Sequence, residues 1–301
     1  MSRTKLVSCV VVSYNSSNTI IETLNSIKDQ TYKQIELIIS DDCSTDDTVL
    51  ICRKWLEMYS KRFVRVELIT VDKNTGITAN FNRAIIACRG EWVKECAADD
   101  ILLDNCIEDY MIFIKDNPEV RWAASLIRKY MEIIDEKCCV ERKYVASRSF
   151  YNLSSECQLK HIAMVNRIPA ASLFYQRSLF EELGGYDETY SFEDYPFHVK
   201  ALEHGYKCFF MDIETVGYRI HNSTSNGGEQ LFHMSFLNEC RRFQKERCFK
   251  YLSNWQKYGQ LAIWKIQDII VMMHLNKNNF IMSHTYNFVF LLICKLFNLS
   301  Y

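Results

Sequence analysis

Glycine and proline are scarce in this sequence. Its 301 residues include only 9 glycines and 3 prolines. Flexible linkers are built largely from Gly, Ser and Pro, so a long hinge between domains has little support in the composition. No internal repeat or low-complexity tract is present, which excludes fibrous and repeat proteins. With hydrophobic residues at 48%, the chain can instead fill a sizeable core, and a disordered protein is excluded as well.

A net excess of charge is also missing. The 36 Lys and Arg residues nearly cancel the 37 Asp and Glu residues, and the formal charge of −1 gives no reason to expect a nucleic-acid partner. The charge is unevenly distributed, because residues 241–301 carry nine basic and two acidic side chains. The C-terminal segment is therefore a basic appendage on an acidic body.

Hydrophobic runs long enough to span a bilayer are absent. The longest apolar stretch, 286–297, is interrupted by Lys295 and is shorter than the roughly 20 residues that a spanning helix needs. Residues 1–5 lead into a strand-like run without a charged-then-apolar leader. The 13 cysteines form no CxxC pair and no Cys/His metal spacing. We therefore expect a cytoplasmic protein whose thiols mostly serve as small core residues.

Strand and helix patterns alternate along the first hundred residues. Short apolar runs rich in β-branched residues indicate buried strands, and apolar residues at helical spacing mark the segments between them. The predicted strands cover 6–13, 35–40, 64–71 and 92–96, and the predicted helices cover 19–30, 48–59 and 79–89. This order predicts an α/β fold with a parallel, doubly wound sheet.

Polar residues stand where three of these strands end. Ser13-Tyr14-Asn15 follow the first strand, Asp41-Asp42 the second, and Asp99-Asp100 the strand over 92–96. Ligands of such sheets bind at the carboxyl ends of the strands. Crowded carboxylates cost stability unless a cation or hydrogen bonds offset them, so a divalent metal is a natural partner of Asp99-Asp100. Taken alone, however, an Asp-Asp pair is more often a solvated turn or a helix cap.

Four blocks of sequence, in this order, resemble the family 2 glycosyltransferases with the GT-A fold. They are residues 7–48, which contain VSCVVVSYNSS, residues 74–100, which end in AADD, residues 184–207, which contain GGYDETYSFEDY, and residues 218–225, YRIHNSTS. Together they cover most of residues 6–225. The resemblance implies a GT-A fold, in which a Rossmann-like, mainly parallel sheet is flanked by helices.

The resemblance also implies a nucleotide pocket at the ends of the first strands. Ser13, Tyr14 and Asn15 would line the base and ribose, and Asp41 would accept hydrogen bonds from the base with Asp42 beside it. A carboxylate is a reasonable acceptor for a uracil N–H, and the same two residues can cap the next helix. The remaining nucleotide-binding residues that we predict are Asn74, Gly76, Asn82 and Asp99.

A metal site is implied by the same resemblance. Asp100 would bind Mn²⁺ or Mg²⁺, and Asp99 would reach the ribose or the metal; hard oxygen ligands suit both ions. The family pattern has a further acidic residue where this chain has Ala97. That departure puts the ligand assignment in question. His221 would lie near the diphosphate or metal, or would satisfy a structural hydrogen bond. Arg219 would pair either with phosphate or with a buried acid.

The resemblance makes Asp194 the general base that deprotonates the acceptor hydroxyl, with Glu193 orienting the acceptor. The residues alone indicate only an acidic pair at a helix N-terminus, which the helix dipole favours. A single in-line displacement would invert the anomeric configuration. We therefore expect a metal-dependent, inverting glycosyltransferase that moves a sugar, with a UDP-sugar as the favoured donor, onto a glycan or lipid-linked glycan in cell-surface polysaccharide synthesis.

Two other functions compete with this hypothesis. A catalytically inactive nucleotide-sugar-binding module would keep the pockets but could lack a base, and Asp194 argues against it. A nucleotidyltransferase needs a Gly-rich phosphate loop with Lys or Arg after its first strand, where this chain has SYNSSN.

The C-terminal segment has its own pattern. We expect a catalytic domain over 1–235, with a nucleotide-binding half over 1–103 and an acceptor-binding half over 104–235, and a helical extension over 236–301. Apolar residues of the extension recur at helical spacing, so it would pack on the catalytic domain or on a second subunit of a homodimer. Its basic and aromatic residues also fit peripheral contact with the anionic inner face of the cell membrane.

Overall fold

The computed structural model describes residues 5–145, 147–220 and 230–299. Within the chain, contacts define two compact units: Met1–Asn152 with Arg167–Arg219, and Leu153–Asn166 with Ile220–Tyr301. The domain boundary predicted at residue 235 lies within the second unit and stays a prediction.

One sheet with flanking helices makes up the first unit. In the described residues its strands are β1 (Val7–Ser13), β2 (Ile35–Asp41), β3 (Arg65–Thr70), β4 (Trp92–Ala97), β5 (Ile101–Leu102), β6 (Trp122–Met131), β7 (Cys139–Tyr144), β8 (Phe174–Gln176) and β9 (Phe209–Ile220). The helices of both units are α1 (Ile20–Lys28), α2 (Thr48–Tyr59), α3 (Ile77–Ile86), α4 (Cys106–Asp116), α5 (Ser155–Ile162), α6 (Arg177–Glu182), α7 (Asp194–Glu203), α8 (Met234–Phe243), α9 (Asn254–Met272) and α10 (Phe280–Leu296). Of these, α5 and α8 to α10 belong to the second unit.

The sheet has a parallel half and an antiparallel half. Its strand order is β3-β2-β1-β4-β8-β6-β9-β5, with β7 paired to β6. Strand β1 runs parallel to β2 and β4, and β2 runs parallel to β3. The pairs β4–β8, β5–β9, β6–β7 and β6–β8 are antiparallel. The predicted α/β fold is therefore confirmed, and the parallel pairs join β1 to β4, which α1, α2 and α3 connect along the chain.

Strands β1 and β2 form the centre of the core. Every residue of both strands is buried, as their continuous apolar runs predicted for strands covered on two faces. Helix α1 buries Ile20, Leu24 and Ile27, which recur every three to four residues and so share one face. Helix α3 begins at Ile77, two residues before its predicted start, because Gly76 adopts a φ of +88° and ends the preceding loop.

The cysteines behave as the sequence predicted. None of the 13, all of which lie in the described residues, forms a disulfide, and eight of them are buried. Burial raises the pKa of both Cys52 and Cys88 to about 12, which keeps these thiols protonated and unreactive.

Helices make up most of the second unit. Helix α8 runs into a π-helical turn, Gln244–Cys248, and α9 starts with a capping box between Ser253 and Gln256. The indole N–H of Trp255 donates to the Leu296 carbonyl at 3.1 Å and so joins α9 to α10. Among the helices described, none combines the length and apolar character needed to cross a bilayer.

A close backbone contact at Gly90 generates a stability prediction. A Cβ at this position would lie 2.5 Å from Ser8 Oγ and 2.7 Å from the Ser8 backbone nitrogen. The Gly90 N–H also donates to the buried carboxylate of Glu36 at 2.7 Å. We expect Gly90→Ala to lower the free energy of unfolding by about 2–3 kcal/mol, because strand β1 must move to accept the methyl group. Urea denaturation measures this loss.

The matched control is the neighbouring Arg89→Ala, whose side chain is exposed. It should change the free energy of unfolding by about 0.5 kcal/mol or less. Equal stability of the Gly90 and Arg89 variants would show that β1 adjusts without cost.

Candidate functional site

The ends of β1, β2 and β4 meet at one edge of the sheet. The strand register places Ser13 beside Asp41 and Val12 beside Ala97. The Ala98 N–H donates to the Val12 carbonyl at 3.1 Å. The structure thus brings together the three polar segments that follow these strands.

Asp41 joins the first two loops. Its buried carboxylate accepts hydrogen bonds from the Ser13 hydroxyl at 2.8 Å, the Ser44 hydroxyl at 2.5 Å and the Ser44 N–H at 2.8 Å. Asn15, at a φ of +50°, donates its N–H to Ser44 Oγ and accepts from the Thr45 N–H with its side-chain oxygen, both at 2.8 Å. These bonds hold the predicted nucleotide pocket in one conformation. The side chain of Tyr14 beside them is 50% exposed.

Asp42 accepts hydrogen bonds from the third loop. Its carboxylate accepts from the Thr75 N–H at 2.9 Å, the Thr75 hydroxyl at 2.6 Å and the Gly76 N–H at 2.7 Å, and it pairs with Arg83 at 3.2 Å. The Asn74 side-chain oxygen also accepts from the Gly76 N–H, at 3.1 Å. Asp42 therefore positions the loop that carries Asn74 and Gly76, and a direct contact of Asp42 with nucleotide stays a prediction.

Asn82 also forms hydrogen bonds within the protein. Its amide donates to the Tyr186 carbonyl at 3.0 Å and to the Glu188 carboxylate at 2.7 Å, and its oxygen accepts from the Tyr186 N–H at 2.9 Å. These bonds tie α3 to the loop after α6. The nucleotide role predicted for Asn82 stays a prediction, for which its amide oxygen keeps a second lone pair.

Asp100 is a buried carboxylate with little compensation. Its Oδ1 accepts from the Arg219 N–H at 2.9 Å, and its other oxygen has no hydrogen-bond partner in the described part of the chain. Burial and the adjacent charge of Asp99 raise the pKa of Asp100 well above its usual range. A cation at this turn would remove both penalties.

The donors at this turn suit a hard divalent ion. No group of three or more His, Cys, Asp and Glu side chains that could hold a metal occurs within residues 5–145, 147–220 and 230–299. Asp99 and Asp100 are the two carboxylates of this turn. Mg²⁺ is commonly held by one or two carboxylates together with substrate phosphates, so the pair fits such an ion. His221, the third predicted ligand, lies outside the described residues.

Arg219 holds the Asp99-Asp100 turn through hydrogen bonds to both residues. Its guanidinium donates to the Asp99 carbonyl at 2.8 Å, the Glu132 carbonyl at 2.5 Å and the Glu22 carboxylate at 2.5 Å. Arg219 thus pairs with Glu22, whose side chain is half exposed, and the alternative role of Arg219 toward phosphate stays a prediction.

A second group of carboxylates surrounds the start of α7. Glu193 is the N-cap residue of this helix and Asp194 is its first residue, as the helix-dipole interpretation expects. Burial, helped by the charges of Asp194 and Glu95, raises the pKa of Glu193 to about 8. Glu193 is therefore largely protonated at neutral pH and can donate a hydrogen bond.

Sequence analysis missed Glu95. Its fully enclosed carboxyl accepts from the Tyr186 hydroxyl at 2.6 Å and from the Tyr175 hydroxyl. The two tyrosine rings lie 5.3 and 5.5 Å from the ring of Phe197 in α7, which places Glu95 behind this helix. Burial raises the pKa of Glu95, and the charge of Asp194 adds to the effect.

Lys94, the neighbour of Glu95 on β4, was missed as well. Its fully buried ammonium donates to the Ala171 carbonyl at 2.6 Å and to the Glu95 carbonyl at 2.8 Å. It thereby fixes the turn over Ala170–Ser172. The signal was present in WVKECA, because two charged residues inside a buried strand require specific partners.

Comparisons with known proteins agree with this arrangement. Residues 8–137 match the profile of glycosyl transferase family 2. A Haemophilus influenzae protein named as an uncharacterized glycosyltransferase is 26% identical over 93% of this chain and 84% of its own length. The Escherichia coli enzyme WfaP, a UDP-Glc:alpha-D-GlcNAc-diphosphoundecaprenol beta-1,3-glucosyltransferase, is 26% identical over 72% of this chain and 78% of its own length.

A solved structure shares the fold. Staphylococcus aureus TarS (residues 1–349) in complex with UDP-GlcNAc aligns with a TM-score of 0.57 and 19% identity, over 85% of this chain and 78% of that one. The profile match, the nearly full-length relative and the shared fold lead to one conclusion: the chain is a glycosyltransferase with the GT-A fold, and over residues 8–137 it is similar to glycosyl transferase family 2.

Proposed function

We propose that this glycosyltransferase is a metal-dependent, inverting enzyme that transfers a sugar from a UDP-sugar to a hydroxyl of a lipid-linked glycan during cell-surface polysaccharide synthesis. The observation that carries the proposal is the meeting of the Asp41 network and the Asp99-Asp100 turn at one edge of the sheet. A nucleotide and its diphosphate need such adjacent sites. UDP-Glc and a diphosphoundecaprenol acceptor, both in the name of the relative WfaP, support the substrate class.

The donor nucleotide would bind along the first three loops. Asp41 accepts three hydrogen bonds within the protein, and a carboxylate has about four lone-pair sites, so it retains capacity for a base N–H. Ser13, Tyr14 and Asn15 supply the wall beside it, and Asn74 and Gly76 supply the third loop. The UDP-GlcNAc complex of TarS supports UDP as the nucleotide.

Asp100 and Asp99 would hold Mn²⁺ or Mg²⁺. The bound ion would neutralise charge on the leaving diphosphate. Arg219 keeps the turn in place through its contacts with the Asp99 carbonyl and Glu22, and leaves the second oxygen of Asp100 available. If His221 is also a ligand, it would complete this set.

Asp194 would take the proton of the acceptor hydroxyl. The raised pKa of Glu193 makes this neighbour a hydrogen-bond donor near neutral pH, which suits it to orient the acceptor oxygen. Glu95 would lie beside Glu193 and Asp194, where its charge would help to keep the pKa of Glu193 raised. Attack on the face of the sugar opposite the diphosphate gives inversion in one step, as general-base catalysis requires no covalent nucleophile.

We also propose that the chain works at the cytoplasmic face of the cell membrane. The excess of basic residues after position 240 and the lipid-linked acceptor in the name of WfaP both support this location. Residues 236–301 would act there as an extension of a catalytic domain over 1–235, and a homodimer through the extension is compatible with it. An inactive nucleotide-sugar-binding module remains the second candidate, because Ala97 replaces an acidic residue of the family pattern.

Loss of the base should separate binding from chemistry. We expect Asp194→Asn to lower sugar transfer by about 100-fold or more, because no other group would accept the acceptor proton, while UDP affinity stays within about twofold. UDP release from a panel of UDP-sugars and calorimetric UDP binding measure the two effects.

Asp116→Asn is the matched control, because Asp116 is exposed at the end of α4. It should keep full activity. Full activity of the Asp194 variant would rule out Asp194 as the base, and UDP binding without turnover of any donor by the wild-type protein would favour the binding module.

Removal of the metal or of its main ligand should have equivalent effects. EDTA should abolish transfer, and Asp100→Asn should weaken Mn²⁺-dependent UDP binding about tenfold or more, because the amide keeps an acceptor for the Arg219 N–H but loses the charge. Calorimetry with and without Mn²⁺ measures the difference. Asp104→Asn, at an exposed carboxylate in the turn between β5 and α4, is the control. Transfer that persists in EDTA would contradict metal dependence.

The raised pKa of Glu193 predicts a pH dependence of stability. The folded protein holds this proton up to about pH 8, whereas the unfolded chain releases it near 4.5. Because the native state binds more protons in this interval, its contribution to stability falls as the pH rises from 4.5 to 8. Glu193→Gln should remove that part of the decline in urea denaturation series. The exposed Glu119→Gln should leave the decline unchanged, and an unchanged Glu193 variant would refute the raised pKa.

A further inference from the structure

The second unit contains a cleft between α8, its π-helical turn and α9. The cleft has a volume of about 550 Å³, within the usual size of small-ligand sites. Its cationic lining residues are Arg241, Arg242, Lys245 and Lys265, its acidic ones are Glu246 and Asp268, and Trp264 forms part of its wall. The lining is therefore net positive.

Arg241 forms the floor of the cleft. Its side chain is 90% buried and donates to Asp268 at 2.7 Å, to the Gln267 side chain at 2.8 Å and to the Trp264 carbonyl at 3.1 Å. Its Nε is buried without a hydrogen-bond partner. This arginine ties α8 to α9, and its charge is neutralised by Asp268.

Two lysines of the cleft lining, Lys245 and Lys265, carry positive charges that no ion pair with a described residue neutralises. Lys245 Nζ stands 5.3 Å from the Trp264 ring centroid, and Lys265 follows Trp264 in α9. Neither lysine forms an ion pair with any residue in the described parts of the chain. Arg242, by contrast, approaches Glu239 at 3.5 Å. Like charges that share a cleft raise its affinity for anions.

The backbone geometry contributes to the site. Lys245 lies in the π-helical turn Gln244–Cys248, and such widened turns are frequent at functional sites. The turn is held by the Gln244 amide, which donates to the Met164 carbonyl at 2.8 Å. Lys245 is thus presented to the cleft from a fixed backbone, which lowers the entropy that a bound anion must offset.

We propose that this cleft binds a phosphate or diphosphate ester, with Lys245 and Lys265 as its charge partners and Arg241 and Trp264 as its rigid wall. The shared chemistry admits two sources: a soluble diphosphate, or the diphosphate headgroup of an isoprenoid lipid. The site belongs to the second unit, and its occupancy does not depend on the proposed sugar transfer.

Calorimetry in EDTA tests the proposal without turnover. The probes are inorganic diphosphate, and farnesyl diphosphate in phosphatidylcholine vesicles compared with the same vesicles alone. The variant is Lys245→Ala with Lys265→Ala. The control removes two exposed lysines of the same unit, Lys277→Ala with Lys295→Ala, and so makes the same change in net charge. Circular dichroism verifies that both variants are folded.

We expect the wild-type protein and the control to bind at least one probe with equal affinity within twofold, and the Lys245/Lys265 variant to bind it at least tenfold more weakly. Lys245→Arg with Lys265→Arg should restore binding, because the charge is kept. Binding of farnesyl diphosphate vesicles but not of inorganic diphosphate would identify the lipid as the source, and binding of both would identify the diphosphate alone. Absence of binding to either probe, or equal losses in the two alanine variants, would overturn the proposal.

Discussion

The parallel pairing of β1 with β2 and β4 is the constraint on which the rest of the site depends. It makes three strands end at the same edge, with Ser13 beside Asp41 and Val12 beside Ala97. Loops that are 28 to 85 residues apart in sequence become neighbours through this register alone. Each helix between these strands must then start at that edge, so loop residues serve both as helix starts and as site residues. Gly76, which starts α3 while its N–H binds Asp42, shows both uses.

Buried carboxylates divide into two kinds at this edge. Asp41 and Asp42 receive hydrogen bonds on both oxygens from neighbouring loops, so their charges stabilise the scaffold. Asp100 has one backbone donor, and Glu193 faces two other acids, so burial raises the pKa of each. Glu36, a third example of the first kind, accepts from Ser8, Arg89 and Gly90, and these bonds outweigh burial and lower its pKa. Hydrogen-bond donors can thus outweigh the effect of burial on the pKa of a carboxylate, as they do at Glu36.

The parts of the fold that follow from local pattern could be predicted from the sequence. The continuous apolar runs of β1 and β2 and the helical spacing in α1 gave these elements correctly. The antiparallel half could not be predicted, because β5 and β8 are two and three residues long and are stabilised by partners distant in sequence. The same limit applies to the site: loop positions were visible, but Glu95 became a candidate only when Tyr175 and Tyr186 were seen around it. Likewise, nothing in the sequence revealed that the Asn82 side chain forms three hydrogen bonds with the loop after α6.

The environment of Asp100 bears on whether the Asp99-Asp100 turn binds a ligand. A carboxylate buried with one hydrogen bond costs stability, and a nearby guanidinium is the simplest way to reduce that cost. Arg219 is close enough to donate its backbone N–H to Asp100, yet its guanidinium points to the Asp99 carbonyl, the Glu132 carbonyl and Glu22. The positive charges of Lys94 and Arg219 and the single backbone hydrogen bond oppose the effect of burial, and the pKa of Asp100 is still raised. Proteins retain such locally unfavourable charges chiefly where function requires them, which favours a ligand-binding role for this turn despite the presence of Ala97.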